Sequence, residues 1–305
     1  MASAAARIFL GLIASVPFFG QFLPDAEFAL DARLTGHSRD RSVRVYFVAN
    51  SDGLTLVSIG RSGVSLVSAD LDGRILHSRA DLASVHGQIY EALPRADGSV
   101  WLVSGGPYRF FDGGGSEPQH NDLDLYSRAG KHLESFRLLA LVAGAESPIA
   151  AANDQLVLRS ADSPGFHPRT QFFHFGSPVD GGFRERTRVR LTTPVLGAIA
   201  TMTDKGDLLL IDKKSGNMVV IDPQAKTGSM VRLAKPVPVG AAAAAGDCVY
   251  LLSENAVLKT DRSGRELATY HFQFGQGFEP VSLGVTGHSL YLVDRTSRVE
   301  RFPVH

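Results

Sequence analysis

The chain has 305 residues, 44% of them apolar and 20% charged, a composition that excludes overall disorder and suits a sizeable core. Lys plus Arg equals Asp plus Glu, 31 each, so no global field draws the protein towards nucleic acid, which is not expected as a partner, or towards an anionic membrane surface. The single cysteine, Cys248, excludes an intramolecular disulfide and a cysteine-based metal site, and its apolar setting reads as core.

From the N-terminus, Arg7 precedes an uncharged, mostly apolar run from Ile8 to Leu23. That length is short for a membrane span and suits the core of a signal peptide. Residues 1–26 are therefore expected to be a signal peptide or an uncleaved anchor, with Ala26 as the candidate last signal residue. The protein is expected to be exported, periplasmic or extracellular, a monomer, and in contact with membrane only if this segment is retained. Glu27 to Leu34 then alternates apolar and polar residues as a half-exposed strand does.

One strand-sized pattern follows six times: Leu54–Ser58, Val100–Ser104, Leu156–Ser160, Leu208–Asp212, Val249–Ser253 and Leu290–Asp294. Each reads apolar, variable, Leu, mostly apolar, then Ser or Asp. Their starts lie 46, 56, 52, 41 and 41 residues apart, the spacing of propeller blades. A tight-turn pair precedes each, such as Asp52-Gly53, Asp97-Gly98 and Gly246-Asp247, and before each turn lies another apolar stretch. A third strand recurs after each copy. Five of these lead through a turn carrying Gly73, Gly130, Gly181, Gly228 or Gly264 to a fourth, alternating strand. In the third unit that strand is the basic run Arg184 to Arg190, read as the solvated face of an edge.

The sixth unit has three strands and then the chain ends, so 27–34 is expected to supply its fourth. The predicted fold class is all-β: a six-bladed β-propeller over 27–305, four antiparallel strands per blade, closed by the N-terminal strand. The wording of the last unit, Phe278 to Val285, the turn at Gly287, Leu290 to Asp294 and Arg298 to Phe302, resembles the NHL-repeat-like branch of the six-bladed propellers. That resemblance implies a fold shared by binding scaffolds, lyases and hydrolases, and it leaves the function open.

In such a ring the loops leaving the second strand and entering the first share one face, the mouth of the central channel. Two of these loops are enlarged. Residues 105–121 carry Arg109, Phe110, Phe111, Glu117 and His120, and residues 160–169 carry His167 and Arg169. Together they predict a rim that binds a small molecule or a protein. The triple glycine at 113–115 follows no strand–helix unit and lacks a Lys-Ser/Thr ending, so it is no phosphate loop. No nucleophile elbow, His-Glu-x-x-His or dinucleotide fingerprint occurs, and no nucleophile triad can be assembled from sequence neighbours.

The channel wall offers a second set. Arg44, His86, Glu146 and Glu279 fall near the starts of first strands, and Arg159, Asp212 and Asp294 near the ends of second strands. Six-bladed lactonase-type enzymes gather a divalent metal from such positions. Glu146, Asp212, Glu279 and Asp294 are accordingly the metal ligands under an alternative reading, a metal-dependent hydrolase or lyase at the channel mouth. The leading expectation is a binding module with no cofactor, and a divalent metal enters only under the alternative.

Overall fold

A computed structural model describes residues 22–30, 43–60, 63–82, 89–105, 120–139, 147–152, 154–161, 170–179, 182–192, 195 and 198–304. These form 24 strands in six four-stranded antiparallel sheets. Blade 1 is β2 (Arg44–Asn50), β3 (Gly53–Gly60), β4 (Gly63–Ala69) and β5 (Ile75–Arg79). Blade 2 is β6 (Ile89–Pro94), β7 (Val100–Ser104), β8 (His120–Tyr126) and β9 (His132–Leu139). Blade 3 is β10 (Ser147–Ala152), β11 (Gln155–Ala161), β12 (Gln171–Val179) and β13 (Gly182–Leu191). Blade 4 is β14 (Ala198–Met202), β15 (Leu208–Asp212), β16 (Met218–Asp222) and β17 (Thr227–Val231). Blade 5 is β18 (Ala241–Ala245), β19 (Cys248–Ser253), β20 (Ala256–Asp261) and β21 (Glu266–His271). Blade 6 is β22 (Pro280–Thr286), β23 (Ser289–Asp294), β24 (Arg298–Pro303) and, from the other end of the chain, β1 (Ala26–Ala29).

The repeated pattern is thus the second strand of every blade. It is the most deeply buried because a strand flanks it on both sides and a neighbouring blade packs on each face. Leu54, Leu56, Val57, Val100, Leu102, Val103 and their counterparts have essentially no solvent exposure. Six hydrophobic clusters account for the six blade-to-blade contacts. One joins Tyr291, Val293 and Val299 of blade 6 to Phe47, Leu54 and Leu56 of blade 1, so apolar packing runs right round the ring. In the next one, Phe272 of the segment leaving blade 5 meets Phe302 of blade 6 with ring centroids 4.4 Å apart.

The N-terminal strand pairs antiparallel with β24, Ala26 opposite Arg301 and Ala29 opposite Arg298. It starts one residue before the expected Glu27, and residues 31–34 lie outside the described residues. Two other expectations shift. His120 and Asn121, read as loop, belong to β8, where His120 is in register with Leu139 and Asn121 with Leu138. Gly228, read as a turn residue, lies inside β17, and the turn is Pro223 to Lys226 with Lys226 taking the positive φ of 55°. The Asp222 carboxylate organises that turn by accepting the N–H groups of Gln224 and Ala225, so no glycine is required there.

Candidate functional site

The first strands β2, β6, β10, β14, β18 and β22 line a central cavity of about 1180 Å3. Its wall is mostly backbone and small side chains. The five alanines of β18 and the Pro148–Ala152 stretch present little else, so the polar residues at its ends set its chemistry.

Strand register places the charged residues along the axis. Arg44 opposite Ile59, Ser147 opposite Arg159, Ala198 opposite Asp212 and Pro280 opposite Asp294 all mark the end where first strands begin and second strands finish. At this mouth end the cavity is lined by Arg44, Glu91, Arg159, Lys213 and Arg295. Arg44 Nη1 lies 3.6 Å from Glu91 Oε2. The Tyr46 hydroxyl donates to the same carboxylate, and burial together with the Glu91 charge drives its pKa well above the ordinary phenol range. Tyr90 is pushed up to about 12, again by burial first and Glu91 second. Both phenols are therefore neutral hydrogen-bond donors at any physiological pH. Burial alone holds the Arg159 guanidinium below its usual value. At the far end, Asn50, Thr203, Asp204 and Thr286 line the cavity, with the Asp204 carboxylate accepting the Gly246 N–H at 3.1 Å.

Two of the four expected metal ligands, Asp212 and Asp294, have other partners. Asp212 Oδ1 accepts the Ser215 hydroxyl at 2.7 Å and the N–H groups of Ser215 and Lys214, contacts that hold its carboxyl below the usual range. Asp294, buried at 3% exposure, does the same for the Thr296 hydroxyl and the N–H groups of Thr296 and Arg298. Both are caps of the turn leaving the second strand. Glu279 is exposed just before β22, and Glu146 lies outside the described residues. Among the described residues no three His, Cys, Asp or Glu side chains group as a metal would require. Of the expected rim, Arg109, Phe110, Phe111, Glu117, His167 and Arg169 lie outside the described residues, and His120 is placed on β8.

The structure also brings together a constellation that sequence neighbours do not reveal. The Ser160 hydroxyl lies 2.7 Å from His174 Nε2, and His174 Nδ1 lies 2.5 Å from Glu185 Oε2. The three come from three adjacent strands of blade 3, and Arg188 also donates to Glu185 at 3.1 Å. Burial works to raise the Glu185 carboxyl, but hydrogen bonds from His174 and Arg188 outweigh it and hold it below its usual range. The connectivity is that of a nucleophile, base and orienting acid. However, the imidazole is buried at 7% exposure and none of the three lines the cavity. Similar cross-strand ties recur in other blades, Ser58 to Ser65 at 2.6 Å and Ser135 to Asp124 at 2.5 Å. The constellation laces a sheet together, and the mouth of the channel is the candidate site.

No family model matches the sequence, and no curated protein matches it. Solved structures match the fold. Virginiamycin B lyase from Staphylococcus aureus aligns with a TM-score of 0.53 at 12% identity over 92% of this chain and 99% of that one. A catalytically inactive variant of that lyase with quinupristin aligns with a TM-score of 0.52 over the same shares. A chain of the mitotic checkpoint complex aligns with a TM-score of 0.52 at 10% identity over 100% of both chains. At such identities the likeness is one of fold alone, and together with the six sheets it makes this chain a six-bladed β-propeller.

Proposed function

We propose that the protein is an exported binding module that takes a ligand at the mouth of its central channel, with the enlarged connections from β7 to β8 (105–119, with His120 where β8 begins) and from β11 to β12 (162–169) forming the rim. One observation carries the reading. The ring encloses a cavity of about 1180 Å3 whose charged lining side chains, Asp204 apart, gather at one end. A rigid scaffold with convergent polar groups at a concave mouth is the usual form of a ligand site. The neutral phenol of Tyr46 and the Arg44–Glu91 pair suit recognition, and the turn-capping roles of Asp212 and Asp294 favour binding over metal-assisted hydrolysis.

The test is retention of small molecules from a cell extract by the immobilised full chain, read by mass spectrometry against a blank resin. The wild type should enrich a defined set of compounds, and R109A/F111A/H120A should lose it while keeping its circular dichroism spectrum and melting temperature. Equal enrichment by the folded triple variant would remove the rim from the site. No enrichment above the blank by the wild type would remove the reading itself.

A further inference from the structure

Among the described residues, the charges at the mouth do not balance. Four cations line it: Arg44 from blade 1, Arg159 from blade 3, Lys213 from blade 4 and Arg295 from blade 6. Glu91 is the one acidic side chain among the described residues lining that end, and it pairs with Arg44 and Tyr46. Glu279 lies at the same end but is exposed and outside the cavity lining, and Asp212 and Asp294 are the immediate chain neighbours of Lys213 and Arg295. Each directs Oδ1 into its own turn, onto a hydroxyl and backbone N–H groups. The capped turns therefore put the acid into the protein framework and leave the following cation at the cavity. Among the described residues, Arg159, Lys213 and Arg295 have no carboxylate within ion-pair distance. Asp204, the acid of the cavity's far end, is a channel length away beside Gly246.

An unpaired guanidinium that is half removed from water is unfavourable unless an anion joins it, and the depressed basicity of Arg159 reports that desolvation. Positive charges gathered in a cleft with low-dielectric walls focus the field on an incoming anion. Arginine supplies fixed paired donors matched to carboxylate and phosphate oxygens, and lysine adds a mobile point charge. Blades 3 and 6 stand opposite each other in a six-blade ring, so Arg159 and Arg295 approach the mouth from opposite sides, an arrangement suited to a ligand with more than one anionic group. The cavity volume is of the order of that which holds a small organic ligand.

We infer that the channel mouth binds a small polyanion, a molecule bearing two or more carboxylate or phosphate groups, held by Arg159, Lys213 and Arg295 with Arg44 at the margin. This rests on the channel mouth being a ligand site, and it adds the chemical class of the ligand.

The experiment titrates the full chain with citrate and, separately, with pyrophosphate by calorimetry and thermal shift, with sodium chloride holding the ionic strength constant. At least one of the two should bind saturably and raise the melting temperature, and the better binder tells a carboxylate from a phosphate ligand. R159Q/R295Q should weaken that binding at least tenfold. K213Q, at an exposed position that folding tolerates, should weaken it several-fold, and D204N at the far end should leave it unchanged. Binding of neither anion beyond the chloride control overturns the inference, as does wild-type affinity in K213Q together with the folded double variant. If both anions fail while the wild type still enriches uncharged compounds from extract, the ligand class is wrong and the binding site stands. If nothing is enriched either, both readings fall.

Discussion

Glu300 shows how a single side chain can work against the fold that holds it. It lies in β24 with no solvent exposure. Its Oε1 accepts the Gly275 N–H at 3.0 Å, and its Oε2 is buried without a partner among the described residues. Burial raises its pKa, the Gly275 contact and Arg298 lower it, and the Glu27 and Asp294 charges raise it again, with a net shift upward. A carboxyl whose folded pKa exceeds its unfolded value binds more protons folded than unfolded between the two, so stability falls as pH rises through that window. At neutral pH the ionised Glu300 is therefore a net cost. The variant E300Q should denature at a higher urea concentration than the wild type at pH 7, and the gap should narrow as pH falls towards about 4, near the ordinary carboxyl pKa. A lower midpoint for E300Q at pH 7 would show that the Arg298 contact, at 3.8 Å, outweighs desolvation. Nothing in the sequence signals this position. Arg298 to Phe302 reads as an alternating strand, and only register against β1 and β23 shows Glu300 facing inward. The mouth cations were half legible for a related reason. Attention falls on Asp212 and Asp294 because carboxylates suggest metal chemistry, whereas the informative residues are the next ones, Lys213 and Arg295. A cation directly after the aspartate that closes the second strand, in two blades out of six, is the signal that could have found them.

At the scale of the element, the second strands were the legible part. They are buried on both faces, so their composition is tightly constrained and repeats visibly, and glycines at positive φ such as Gly53, Gly98 and Gly287 mark the turns before them. Outer strands are less constrained, and their turns are less plainly written in the sequence. Gly228 reads as a turn glycine by analogy with Gly73, Gly130 and Gly264, all at positive φ. Its actual reason is packing across the blade 3 to blade 4 boundary: a Cβ added there would lie 2.2 Å from Leu191 Cδ2. G228A should therefore destabilise the protein by no more than about 1 kcal/mol, the low end for overpacking, because Leu191 Cδ2 is the end of a side chain that can turn aside and Gly228 itself is exposed. If the contact is the cause, L191A should lose stability alone, and G228A/L191A should be more stable than the sum of the two single losses predicts. Strict additivity in chemical denaturation would mean that Gly228 matters for another reason. The lacing of blade 3 was illegible on different grounds. Ser160, His174 and Glu185 are separated by 14 and 11 residues, and only the pairing of β11 with β12 and of β12 with β13 brings them onto one face.

For the whole molecule, the question is where the ring begins. The sequence suggests a boundary after Ala26, yet Phe22 to Asp25, just before it, make contacts with the ring. The Phe22 N–H donates to the His271 carbonyl at 2.8 Å and its own carbonyl accepts from Gln273 at 3.1 Å, which ties the segment to blade 5. Its ring packs edge-on to Tyr270 with centroids 5.5 Å apart and lies 6.1 Å from Phe272. Asp25 meets Arg301 at 2.8 Å, and Arg301 in turn reaches Asp72 of blade 1 at 2.7 Å. Residues 22–30 thus touch blades 5 and 6 and, through Arg301, reach blade 1, at the part of the ring where β1 pairs with β24. Removing Phe22 to Ala26 forfeits part of the burial of one aromatic ring and several hydrogen bonds, whereas Arg301 keeps Asp72. The exposed Asp25 pair adds little. The loss should total about 2–3 kcal/mol. A chain beginning at Glu27 should melt roughly 3–6 °C below one beginning at Phe22, given about 2 °C per kcal/mol for a domain this size. F22A in the longer chain should account for most of that difference and D25N for little of it. If the two chain lengths melt together, blade 6 is held by β1 and its apolar clusters alone. If the shorter chain is less stable as predicted, the amino terminus of the protein recovered from cells, read by mass spectrometry, should lie at or before Phe22, because cleavage after Ala26 would remove the contacts that Phe22 and Asp25 make with blades 5 and 6.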